Sequence, residues 1–335
     1  MKKLFVFLVA LIMATMSYAQ NTLVATLTHG DEISMYYGVY ALRDAVNAAE
    51  SGDVINLSGG AFQAVDITRG LTLRGTGIDD AHPTFIVNDF SINVPTEDAN
   101  RLSMEGIRCS GTIHMSGNFI SPYFYKCYFW GFQYDNYAFI KDAMFANCKI
   151  LGYLYLRGSS TVQLVNGFIS GFDNNEQPNT GASFINCIIC PPDYGSSPNH
   201  ICQSHLLNCI IYQANANDVW WIGQLPSSTL AINCVDIGYD GLFDAHPANR
   251  NNYFAAFNEV FKNFTGAYSE DETFELTDEA KTKYLGNGGT EVGMYGGILP
   301  YNSTPSYPQI TKMNVANKTT ADGKLSVEIE VSAAE

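Results

Sequence analysis

The sequence predicts an all-β solenoid of short strands stacked coil upon coil, and three observations predict it. A Cys-centred frame recurs at nearly constant spacing. Inside each frame apolar residues alternate with period two, and a Gly often closes the strand. Both flanks lack the frame, so one reads as a cap and the other as a tail.

The frame comprises Ile107-Arg-Cys109, Tyr125-Lys-Cys127, Ala146-Asn-Cys148, Ile185-Asn-Cys187, Leu207-Asn-Cys209 and Ile232-Asn-Cys234. Val165-Asn-Gly167 fills the one gap, and successive spacings are then 18, 21, 19, 20, 22 and 25 residues. Phe129, Ile150, Ile169, Ile189 and Ile211 follow by two, and Gly131, Gly152, Gly171 and Gly238 by four. That alternation is a strand with one buried face followed by a turn. A buried Cys acts as a small hydrophobe, so the thiols are expected to stack inside as free, inert groups, about 4.8 Å apart. Asn147, Asn166, Asn186, Asn208 and Asn233 precede this position. Asn tolerates a left-handed backbone, and stacked amides can bond from coil to coil. Cys190 and Cys202 fall outside the frame around a Pro/Gly/Ser loop and are the candidates for a disulfide.

Composition limits the function classes. The 335 residues hold 18 Lys+Arg against 33 Asp+Glu, a net charge of −15, with 46% hydrophobic and 15% charged residues. Such a chain is too apolar to be disordered. It is too acidic to hold nucleic acid through phosphate contacts. Residues 1–19 read as a secretory signal: Lys2 and Lys3, the apolar run Leu4 to Met13, then Ser17-Tyr18-Ala19 before Gln20. The mature chain is therefore expected to be exported, to the periplasm, the outer surface or beyond, with no transmembrane segment after cleavage.

Gly52-Asp-Val-Ile-Asn-Leu57 and Asp66-Ile-Thr-Arg-Gly-Leu-Thr-Leu-Arg-Gly-Thr-Gly77 resemble the opening coils of the pectin-lyase-like superfamily. The Asn-Cys-x-Ile coils resemble the same group, as does Gly293-Met-Tyr-Gly-Gly297 after Gly286-Asn-Gly-Gly-Thr290. The resemblance covers roughly residues 22–300 and implies a right-handed parallel β-helix. The repeat length makes that about ten coils. It leaves the activity open, because the fold carries many functions.

The helix-cap, body and tail divide the chain. Residues 37–50 read as an amphipathic helix with Ala41, Leu42, Ala45, Val46 and Ala49 on one face, covering the first coil. The β-helix is assigned residues 20–300, with 243–290 as final coils bearing long loops. A linker and β tail take 301–335, with Asp322-Gly323 as a hairpin turn. Phe168, Ile188, Ile210 and Val235 share the position after the frame Cys. If outward-facing, they make an apolar stripe that needs a cover: the tail, the loop before it, or a partner.

No P-loop, dinucleotide fingerprint, zincin helix or nucleophile elbow is present. The family resemblance implies paired Asp residues for hydrolases and a carboxylate cluster with calcium for lyases. Neither pattern stands in this sequence, so no metal or cofactor is assigned, and calcium belongs only to a lyase reading. Aromatic residues remain. Phe132, Tyr134, Tyr153, Tyr155, Phe172 and Tyr239 recur after the frame Gly, and Trp220-Trp221 sits in a further coil. We take Tyr134, Tyr153, Tyr155, Trp220 and Trp221 as glycan-stacking candidates. The reading is a secreted or cell-surface β-helix, non-catalytic, binding a polysaccharide or a surface protein. The alternatives are a polysaccharide lyase or glycoside hydrolase, starting from Lys141, Arg157 and Tyr155, and a purely structural surface rod.

Overall fold

The structure, a computed structural model, describes residues 23–79, 82–134, 139–156, 160–173, 181–189, 201, 203–212, 225–237, 240–263, 272–315, 318–319, 322–324 and 326–332. Residues 1–19, Arg157, Cys190, Cys202, Trp220 and Trp221 lie outside them.

Two eleven-stranded sheets face each other. The first begins with β1 (Val24–His29), β2 (Glu32–Tyr37) and β3 (Val54–Leu57). It continues through Thr72–Arg74, Ser103–Glu105, Tyr123–Tyr125, Ala143–Ala146, Thr161–Val165, Gly181–Ile185, Ser204–Leu207 and Leu230–Ile232. The second runs from Gly60–Gln63 to Tyr253–Ala255 and includes Ile107–Met115, Tyr128–Tyr134, Lys149–Tyr155 and Phe168–Asp173. From β3 onward, neighbouring strands of each sheet run parallel, the mark of a β-solenoid.

The solenoid has about seven turns, fewer than the ten expected. Its regular corner is a left-handed residue at Gly106, Lys126, Asn147, Asn166, Asn186, Asn208 and Asn233, with φ between 50° and 64°. Each sends its N–H to the strand end of the next coil, as Asn147 N to Val165 O and Asn166 N to Ile185 O, both 2.9 Å. The ladder therefore continues through the bend. Strands ahead of Gly106 extend the same sheets with other corners, and the chain beyond Ala255 leaves the stack.

The corner also corrects the reading of the first frame. Cys109 pairs with Phe129, not with Cys127. Gly106 is the corner of that coil, so Ile107 takes the position that Cys127 fills in the next. Keying the alignment on Cys rather than on the left-handed residue displaced it by two positions.

Cys109, Cys127, Cys148, Cys187, Cys209 and Cys234 are free and buried. The five at the corner serve one purpose. Cys127 Sγ donates to the carbonyls of Tyr125 and Met104, Cys148 to Ala146 and Phe124, Cys187 to Ile185 and Leu164, each at 3.4 Å. Cys209 does likewise with Leu207 and Phe184. A small apolar side chain thus fills the bend while its weak donor meets inward carbonyls. Burial pushes the thiols of Cys109, Cys148 and Cys209 well above their ordinary pKa.

Between the sheets, Phe124 stacks on Phe145 at 4.7 Å, and Phe129 meets Phe132 at 4.9 Å. Phe132 and Phe172 are therefore core, not exposed rings. Irregularities between Phe129 and Phe132, and between Ile150 and Tyr153, shift the alternation, and Phe132, Leu154 and Phe172 beyond them share one buried row.

At the first end, helix α1 (Ala41–Ala48) buries Ala41, Leu42, Ala45 and Val46 on the core. β1 is antiparallel to both β2 and β3, a hairpin that the sequence did not suggest.

The outer stripe of Phe168, Ile188, Ile210 and Val235 is buried. Its cover is the chain before the tail. Helices α2 (Phe257–Val260) and α3 (Asp278–Lys283) and their flanks lay Val260, Phe261, Phe274, Leu276, Tyr284 and Met294 on it. Phe274 stacks on Phe168 at 4.8 Å. These residues are an external layer, not the further coils expected there.

Residues 286–307 then run back along the corner column as a strap. Asn287 N bonds Asn208 Oδ1 at 3.0 Å, and Asn166 Nδ2 reaches the carbonyls of Met294 and Gly296 at 2.9 and 2.7 Å. Asn302 N bonds Asn147 Oδ1 at 3.2 Å, Lys126 Nζ bonds Thr304 O, and Ser306 N bonds Glu105 Oε1 at 2.8 Å. The amides thus hold the strap. One coil-to-coil bond, Asn233 Nδ2 to Asn208 Oδ1 at 3.2 Å, realises the expected stack. Gly297 must be Gly: its φ is 74°, and a Cβ would stand 2.1 Å from Asn186 Nδ2.

Two predictions follow from this packing. The six buried thiols stay unlabelled by iodoacetamide in the native protein and react within minutes in guanidinium, as read by intact mass. Asn166→Ala loses both a tolerated left-handed residue and two bonds to the strap, and lowers unfolding free energy by about 2–4 kcal/mol. Asn166→Gly restores only the backbone freedom and costs about 1–2 kcal/mol in the same denaturant titration.

Candidate functional site

The residue three before each corner points outward from the first sheet. Register places Ser103, Tyr123, Met144 and Gln163 side by side in one lane, which continues through Ser183 and His205. Over part of this lane lies an open groove of about 530 Å³, lined by Arg101, Ser121, Tyr123, Asp142, Met144, Thr161 and Gln163 among others.

Strand pairing fixes the floor of the groove, since parallel coils repeat every ~4.8 Å. Tyr123 supplies a flat ring. It stacks on Tyr125 at 5.9 Å, and the Arg101 guanidinium stands 5.3 Å from its centroid. Burial raises the Tyr123 phenol above its ordinary pKa, helped by the neighbouring Tyr125, so it remains a neutral donor and acceptor near pH 7.

A second left-handed bend forms the rim. Ser121 and Asp142 both have φ of 54°. Asp142 N donates to Thr161 Oγ1 at 2.7 Å, and the Thr161 hydroxyl donates to Asp142 Oδ1 at 3.1 Å. This reciprocal pair ties adjacent coils and holds a carboxylate at the groove edge. Asp142 is the one carboxylate among the lining residues. Among the described residues, no group of three or more His, Cys, Asp and Glu could hold a metal ion.

The residues singled out from the sequence lie elsewhere. Tyr134 and Tyr153 are on strands of the second sheet, and Tyr155 is half-buried at the end of Lys149–Tyr155. Lys141 is exposed and ends the short strand Ile140–Lys141, directly before Asp142 of the groove rim. Sequence reasoning passed over Arg101, Tyr123, Asp142 and Gln163. The signal was present: the lane residues keep a constant offset from the corner, on the strand before the bend and not on the one after it. Trp130, in the bulged part of Tyr128–Tyr134, is an exposed ring it also passed over.

No known protein family, curated protein or solved structure matches the chain. Among the described residues, no helix is long and apolar enough to cross a membrane.

The rim gives a stability prediction. Asp142→Asn keeps an acceptor and a residue tolerant of left-handed φ, and leaves the denaturation midpoint nearly unchanged. Asp142→Ala loses both and lowers stability by about 1–3 kcal/mol, read by urea titration.

Proposed function

We propose that this chain is an exported, non-catalytic β-solenoid that binds an extended glycan along the outer lane of its first sheet. The observation that carries the reading is the groove over Tyr123, Met144 and Gln163. It combines one accessible ring with a guanidinium, a carboxylate, a hydroxyl and an amide. Rings stack on the apolar faces of sugars, and fixed polar groups around them select hydroxyl positions. The lane runs from coil to coil, with a repeat of about 4.8 Å, on the scale of one sugar residue. A linear polymer lying along the axis thus meets an equivalent position at every coil.

The lining argues for binding over turnover. Glycoside hydrolysis by the common route takes two carboxylates across the bond, whereas this groove presents Asp142 alone. The coil motifs add a likeness to pectin-lyase-like proteins, and we assign the chain there as a divergent member. Export rests on the signal-like residues 1–19.

The test is a polysaccharide panel scored by affinity electrophoresis and calorimetry on residues 20–335. A bound polymer is expected to be recovered intact. Tyr123→Ala is expected to weaken retention at least tenfold, roughly 1.4 kcal/mol, and Tyr155→Ala to leave it unchanged. Release of shortened product, or retention indifferent to Tyr123, contradicts the proposal.

A further inference from the structure

Two β elements, each with an open edge among the described residues, lie toward the same end of the molecule. The first is β2, the outer strand of the first sheet, which among the described residues is hydrogen-bonded on one edge only, to β1. Its outward row is Ile33, Met35 and Tyr37, exposed at 67%, 54% and 61%. The neighbouring row on β1 is Thr28, Thr26 and Val24. A flat apolar edge of this kind is normally blunted by charge, proline or a cover.

The second is the hairpin Gln309–Val315 with Val327–Ser332, a two-stranded sheet of its own. Val327, Ile329 and Val331 are exposed at 48%, 51% and 57%. They repeat the i, i+2, i+4 spacing of the β2 row. A two-stranded hairpin alone is marginal in water.

The strap delivers this hairpin to the β2 end. Ser306 is anchored on Glu105, and the Tyr307 ring lies 5.6 Å from the Arg74 guanidinium. Arg74 is in register with Asn56 of β3, which is in register with Thr26 of β1 and so with Met35 of β2. From Arg74 to β2 is three strand spacings, and a strand added beyond β2 stands about 19 Å away. The hairpin begins at Gln309, and two residues span at most ~7 Å. Among the described residues the hairpin pairs only within itself and forms no ladder with the β2 edge of its own chain, which leaves that edge to another copy.

We propose that two copies of this chain pair end to end, the hairpin of each extending the first sheet of the other at β2. Because donor and acceptor lie at one end, a twofold axis satisfies both pairings at once and closes the assembly as a dimer. Charge selects the strand that meets β2. Val327–Ser332 carries Glu328 and Glu330 and would set them beside Glu32, whereas Gln309–Val315 carries Lys312 and no acid. Backbone ladder bonds supply the affinity and the matched apolar rows set the register.

Light scattering after gel filtration tests this on residues 20–335 at about 50 μM. The expected result is twice the chain mass. Met35→Asp and Met313→Asp, each checked for unchanged circular dichroism, are each expected to run at the monomer mass. Mixing these two variants is expected to restore dimers, since one carries an intact hairpin and the other an intact β2. A wild-type monomer at that concentration overturns the proposal. So does a dimer indifferent to both variants, or a disulfide between Met35→Cys and Met313→Cys, the hairpin position in register with Ile329, that forms within a single chain.

Discussion

At the bend between the two sheets the backbone turns through a left-handed residue in coil after coil, and the rest of the molecule depends on that conformation. A side chain bearing Cβ resists it, so the position is held by Gly106 and then by five Asn, with Lys126 between. Once the bend is made, the N–H of that residue continues the parallel ladder. The next residue is driven inward into a space that a thiol fills, and the one after it outward onto the stripe. One backbone constraint thereby sets the core thiols, the outer stripe and the lane of the groove.

The same residues then do a second task. Asn is not merely tolerated at the bend, because its amide projects outward and finds the strap. Asn147, Asn166 and Asn208 bond residues that lie 79 to 155 positions away in sequence. A solenoid whose coils touch only their neighbours is stabilised locally. The strap adds ties that cross several coils, from Asn233 to Glu105, and so couples coils that otherwise share no contact. The layer of Phe274, Tyr284 and Met294 over Phe168, Ile188 and Ile210 works alongside it, by apolar burial instead of hydrogen bonding.

The solenoid was legible in the sequence because its signal is periodic. Alternation around Cys148, Cys187 and Cys209 reports an inward face directly, and Asn before Cys reports the bend. Cys109 misled because Gly106, not the thiol, marks the corner there. Phe132 and Phe172 misled because an irregular pairing upstream reverses the alternation, and no residue type announces it. The stripe was visible but its cover was not, since α3 and Phe274 reach it through tertiary contacts alone. The groove was the least legible part. Arg101, Tyr123, Asp142 and Gln163 come from four successive coils, and they become neighbours only when the register is known.

If the corner column and the strap form one cooperative unit, native-state hydrogen exchange will find them opening together. The amides of Gly293, Tyr301, Asn302 and Ser306 accept no protection from a regular strand; they are bonded to Asn208, Met294, Asn147 and Glu105. The account predicts that they exchange slowly and open together with the corner amides of Asn147, Asn166 and Asn186, with one free energy and one denaturant dependence. Strap amides that exchange at unprotected rates while the corner amides stay protected would contradict it.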